Sequence, residues 1–119
     1  MRPGPTDAMQ ADLFQEQVDG LQAAHFLVLC WAAAAEDRHS RYNITNCFDD
    51  LKYSSITRTK QSAVSVIEAL AVLRFIELRD EGNRRHIFIT RHGARALENL
   101  VLKRKFTPVK SYFLEGSKP

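Results

Sequence analysis

The chain has 119 residues, 45% hydrophobic and 26% charged, which is one domain's worth and lies outside the composition range where disorder is expected. Its net charge of +3 and pI of about 9.1 permit a polyanionic partner without indicating one, so the placement of the charges has to decide. Cys30 and Cys47 lie in apolar segments, outside any metal-ligand or disulfide spacing, the longest apolar run (residues 26–35) falls short of the roughly 20 residues a bilayer span needs, and the acidic first twenty residues lack a secretory pattern, so a soluble protein of a reducing cytoplasm is expected.

In chain order, residues 1–7 carry two prolines and a glycine and are expected to be a disordered start. Thr6 or Asp7 can cap a helix over residues 8–18, with Leu13, Phe14 and Val18 as a sparse apolar stripe, and Gly20 breaks it. "LQAAHFLVLCWAAAAED" predicts a second helix from Leu21 to about Glu36. Its middle is apolar all round, so both faces need covering, one by the chain's own core and the other by a partner subunit. Residues 8–37 are thus expected to be an N-terminal dimerisation region. "RHSRYN" is a polar loop, and Ile44, Cys47, Phe48 and Leu51 then mark one face of a short helix ending near Lys52.

After the turn "YSSIT", a helix is predicted over residues 60–74, burying Ala63, Val66, Ile67, Leu70 and Leu73 and turning Lys60, Gln61, Val64, Ser65 and Glu68 outward. "FIEL" and "HIFIT" are β-rich runs joined by a polar stretch with a glycine, a hairpin signature with a loop longer than two residues. A last helix follows Gly93, and the tail, residues 106–119, is expected to be extended and to dock Tyr112, Phe113 and Leu114. The expected fold class is α+β, mainly α.

Two short helices joined by a tight turn and followed at once by a hairpin make a winged helix-turn-helix, here over residues 38–105. In that arrangement the second helix enters the major groove of DNA with its N-terminal residues toward base edges. That turn reads "TRTKQS". Arg58 and Lys60 suit phosphates or guanine, Gln61 suits adenine, Thr57, Thr59 and Ser62 suit phosphate oxygens, Val64 suits a thymine methyl, and Ser55 and Ser65 complete the expected DNA-binding set. At the hairpin, Asn83, Arg84 and Arg85 suit a narrow, strongly negative minor groove, with Asp80 placed to brace one arginine. The bland alternative is that a hairpin tip must be polar in any case.

Residues 62–100 resemble the DNA-binding half of MarR-type winged-helix regulators. The resemblance rests on Leu70 in the recognition helix, the pair Phe75 and Ile76 opening the wing, the turn Asn83-Arg84-Arg85, and the closing run Ile89-Thr90-Arg91-His92-Gly93. PadR-type and plasmid-encoded winged-helix proteins are similar as well. In this chain Arg74 stands where the pattern has a glycine, Asn83 where it has an aspartate, and 26 residues follow Gly93, fewer than the long C-terminal helices that serve such regulators for dimerisation. The resemblance implies a homodimeric, sequence-specific regulator, a repressor by family habit, acting on a pseudo-palindromic duplex in the nucleoid of a bacterial or archaeal cytoplasm.

Catalysis has little support: His25, His39, His86 and His92 form no acid/base or metal pattern, there is no phosphate loop, and no cofactor is implied. Asp49 and Asp50 are adjacent on a helix and point apart. Cys30 and Cys47 fall on core faces, where thiols are usually inert rather than redox sensors. A small-molecule effector has a candidate pocket near His25, Phe26, Trp31 and Tyr42, although aromatic side chains in such places are more often packing. The competing class is a winged-helix protein-interaction module, with Ser65 and Glu68 as the features in its favour.

Overall fold

The structure is a computed structural model and describes residues 5–116. In order it comprises α1 (Pro5–Asp19), α2 (Ala23–Asp37), α3 (Ile44–Tyr53), α4 (Lys60–Val72), β1 (Ile76–Glu81), β2 (Arg84–Ile89), α5 (Arg91–Lys103) and α6 (Tyr112–Gly116). This is an α+β winged helix, mainly α, with one two-stranded antiparallel sheet. Asn43 extends that sheet by a single antiparallel bridge to His86, and Ile87 N–H donates to Tyr42 C=O across it at 2.8 Å. The expected disorder of residues 1–7 is corrected for residues 5–7, which belong to α1; residues 1–4 lie outside the described part.

α2 is the centre of the molecule. It packs against α3, α4, α5 and β2, and Phe26, Leu27, Val28, Leu29, Trp31, Ala32 and Ala35 are all buried. Elements from the rest of this chain thus cover most of the helix, while Cys30, Ala33 and Ala34 stay half-buried on the remaining side. Even the Trp31 indole is satisfied internally, its Nε1–H donating to Val109 C=O at 2.7 Å. α1 lies on the outside against α5, through Phe14 beside His92, the Gln15–Asn99 amide pair and the Lys103–Asp19 ion pair. Leu13, expected in its buried stripe, is 55% exposed. No single helix among the described residues is long and apolar enough to cross a membrane.

The tail departs most from expectation. Residues 112–116 form a short helix rather than an extended strand, and residues 109–114 are tied back onto α2 and α3. Asp50 on α3 is the anchor. It is 1% exposed, and its carboxylate accepts from the Tyr42 hydroxyl, the Ser111 hydroxyl and, at 2.9 Å, Phe113 N–H. Leu114 is buried, Phe113 half-buried beside Tyr42, and Tyr112 stays exposed, stacked on Tyr53. Asp49, one residue away, faces solvent, as a helix requires of adjacent side chains.

The junction between wing and α5 explains the Thr90-Arg91-His92-Gly93 run. Thr90 caps α5, its Oγ1 accepting from Gly93 N–H at 2.9 Å while its O–H donates to Arg74 C=O at 2.6 Å. Gly93 then lies so close to the chain before β1 that a Cβ built there would sit 1.8 Å from Phe75 O. One capping threonine and one missing side chain lock the first turn of α5 onto the start of the wing.

Arg74 closes α4 at φ +64°, the left-handed region that a glycine occupies without strain. Replacing it removes that strain, so Arg74→Gly is expected to raise unfolding free energy by about 1 kcal/mol. A urea midpoint equal to or below that of the parent would contradict this.

Candidate nucleic-acid interface

Thr59 starts α4 from an extended backbone, its Oγ1 accepting from Ser62 N–H at 3.1 Å and donating to Ser62 Oγ at 2.9 Å. This cap fixes where the helix begins and so which residues surround its free N–H groups. Arg58, Lys60, Gln61, Ser62 and Ser65 are exposed there, and the first turn holds no acidic residue. Neither Arg58 nor Lys60 has an ion-pair partner among the described residues. Two unpaired cations and the positive end of a helix dipole therefore share one spot, the electrostatic arrangement that takes a phosphate.

Three expected members behave differently. Thr57 is 8% exposed and its hydroxyl is buried without a partner, so it is not available to a phosphate. Its backbone N–H folds back toward Leu51 C=O in the turn between the helices, which draws the side chain inward. Val64, expected on the outer face, is half-buried. Ser55 is exposed but holds φ +61°, which makes it a turn-former first. Glu68 is exposed as expected.

The hairpin is tighter and longer than predicted. The strands pair from Ile76↔Ile89 to Glu81↔Arg84, leaving a two-residue loop of Gly82 and Asn83. Gly82, at φ +64°, occupies the first loop position, where a II′-type turn calls for glycine. Arg84 and Arg85 accordingly start β2 instead of lying in a loop. The pleat sends them to opposite faces of the ribbon. Arg85 lies across from Asp80, and its Nε donates to Asp80 Oδ1 at 3.1 Å. The bracing that the sequence suggested is present, although with both groups at least half exposed it holds a direction more than it adds stability. The Arg84 guanidinium has no ion-pair or hydrogen-bond partner among the described residues, and Glu81, its cross-strand neighbour, is engaged by Arg41 at 2.9 Å. Arg41, passed over in the sequence within a polar loop, is in this way held against the wing.

The residues suggested for an effector pocket have packing and capping roles. Phe26, Trp31 and Tyr42 are each 1% exposed. His25 Nδ1 accepts from Gln22 N–H at 3.0 Å, the reciprocal half of the capping box that starts α2, and burial lowers its pKa from the ordinary value, which keeps that nitrogen an acceptor. Burial pushes the Cys30 thiol up to about 11, and it raises Cys47, next to the Asp50 carboxylate, well above the ordinary thiol range. Both thiols therefore stay protonated at neutral pH. Among the described residues no three His, Cys, Asp or Glu side chains converge as metal ligands would.

No family model and no curated protein matches the chain. Among solved structures, it is similar to BpsR of Bordetella bronchiseptica, a protein whose DNA binding is regulated by 6-hydroxynicotinic acid. The identity is 18%, 86% of this chain and 80% of that chain are covered, and the TM-score is 0.55. At that identity the similarity establishes the winged-helix fold.

Proposed function

We propose that this protein is a DNA-binding transcriptional regulator that reads duplex sequence with the start of α4 and grips the adjacent backbone or minor groove with Arg84 and Arg85. The observation that carries this reading is the pairing of an unneutralised basic helix start at Arg58 and Lys60 with an unpaired Arg84 on the wing. Salt-bridged arginines would serve solubility equally well; unpaired ones on a winged helix are placed for a polyanion. The MarR-type resemblance and the regulated DNA binding of BpsR support it further; the latter extends it to a small-molecule effector, and the former to repression. On this reading, and by the MarR-type resemblance, the protein works in the nucleoid of a bacterial or archaeal cytoplasm.

The regulator acts as a homodimer on a pseudo-palindrome with half-sites roughly 34 Å apart. Further support for pairing comes from α1 and α5, since Met9, Leu13, Val101 and Leu102 leave apolar surface exposed on those two helices. The second class, a protein-interaction module, draws on the exposed Tyr53 and Tyr112 stack beside α3.

Gln61→Ala and Arg84→Ala separate the two in one mobility-shift series. Gln61→Ala is expected to cost about 1–3 kcal/mol at the preferred site and little on random duplex. Arg84→Ala is expected to weaken all sequences alike and to lower the salt slope by about 1. Both variants matching the parent on every duplex would refute the assignment of these residues.

A further inference from the structure

The docked tail and the second half of α3 frame a cleft of about 480 Å³, lined by Asp49, Tyr53, Tyr112, Phe113 and Gly116. Asp49 and Tyr53 are four residues apart on α3, which puts both on the helix face beside the tail. Three aromatic rings meet there. Tyr53 and Tyr112 stack with centroids 4.3 Å apart, yet both remain exposed. Phe113 is held in place because its N–H donates to Asp50 and its ring packs beside Tyr42. Gly116 contributes no side chain, and a Cβ built there would meet nothing within 4 Å, so that edge of the cleft stays open. Asp49 gives the cleft its charge. It is exposed and has no ion-pair partner among the described residues. Lys52 is drawn over the Phe48 ring at 5.9 Å, and neither it nor Lys110 lines the cleft. Tyr53 also ends α3, where the helix dipole is negative. In a chain of net charge +3 this corner is therefore locally negative.

We propose that this cleft binds a free organic cation of the quaternary-ammonium type. Aromatic faces are negative and attract a weakly hydrated cation, and the Asp49 carboxylate adds a Coulombic attraction from one side. The same carboxylate repels an anion and gives a neutral ring no advantage. The volume suits a small molecule, since such sites run from about 300 to 1,000 Å³. Because α3 supplies one wall and the tail the other, the site is complete only while the tail is docked. A bound cation therefore holds the tail in place by mass action. None of this depends on the proposed DNA reading.

Choline is the probe, titrated against the full chain while its trimethylammonium proton resonance is followed by NMR. Protons lying over ring faces move upfield, so a saturable upfield shift is expected. Asp49→Asn and Tyr112→Leu, both at exposed positions that leave the Asp50 anchor intact, are each expected to weaken binding about two- to fivefold. Tyr112→Phe, which keeps the ring, is expected to bind as the parent does. At saturating choline, amide exchange of residues 111–116 is expected to slow. No shift, or Asp49→Asn and Tyr112→Leu both binding as the parent does, would overturn the proposal. Equal binding of the neutral carbon isostere of choline would show an apolar groove only, and displacement of choline by potassium chloride at the same concentration would show a screened carboxylate only; either would overturn it. A short arginine-bearing peptide that saturates the cleft below the concentration choline needs would assign it to a partner protein's side chain, and so overturn a free ligand as the occupant.

Discussion

Asp50→Ala is expected to lower the free energy of unfolding by about 3–5 kcal/mol, a large share of what a domain of this size has. The carboxylate is fully buried and is the common acceptor for Tyr42 O–H, Ser111 O–H and Phe113 N–H. Removing it strands three donors in the interior, and each stranded donor costs about 1–3 kcal/mol before any relaxation. The site also joins α3, the loop before it and the tail, so relaxation means releasing the tail. Two observables should move together in denaturant: the unfolding midpoint falls, and residues 109–114 lose amide-exchange protection ahead of the rest. Ser111→Ala, which leaves the Asp50 carboxylate its two other donors and takes the hydroxyl acceptor from Leu114 N–H, is expected to cost about 1–2 kcal/mol. A full-sized loss from Ser111→Ala with none from Asp50→Ala would contradict this assignment of the anchor.

Gly93→Ala is the second large effect, at about 3 kcal/mol of destabilisation. The added methyl would overlap Phe75 O, and the clashing partner is backbone, which cannot rotate away as a side chain would. Relief requires α5 to back off from the wing, which breaks the Thr90 O–H bond to Arg74 C=O and loosens Phe75, a fully buried ring. Gly82→Ala is the contrast. It has nothing within 4 Å of the new methyl and only the φ of +64° to oppose it, for a cost of about 1–2 kcal/mol. Thermal unfolding of the two variants side by side checks the order, and a larger loss at Gly82 would refute the close-approach argument.

Much of the winged unit was legible in the sequence because its elements obey local rules. The period of α3 and α4, the β-rich runs of the wing and the Thr90-to-Gly93 junction each depend on neighbours a few residues away, and they fold where those signals lie. The outlying errors share a physical cause: periodicity shows that a face is covered, never by what. α2 reads as a helix apolar all round, and the chain itself supplies most of the cover, from α3, α4, α5 and β2. The tail has Pro108 and no clear period, so neither its short helix nor its attachment to Asp50 over 61 residues of sequence separation leaves a local signal. The wing misled in the other direction. Its strands run on to Glu81 and Arg84 because a hairpin wet on both sides can be built from charged residues, and charge alone resembles loop. At the candidate interface the basic residues were legible as a cluster, whereas the inward turn of Thr57 depends on backbone hydrogen bonding that composition does not encode.

The affinity of the unmodified protein for random-sequence duplex, followed from about 50 to 200 mM salt, tests the central claim most directly. Cations aimed at phosphates predict binding at micromolar protein in low salt and a steep linear fall of log K with log salt, at about 0.9 per phosphate engaged. No complex at the lowest salt, or a complex indifferent to salt, would contradict it.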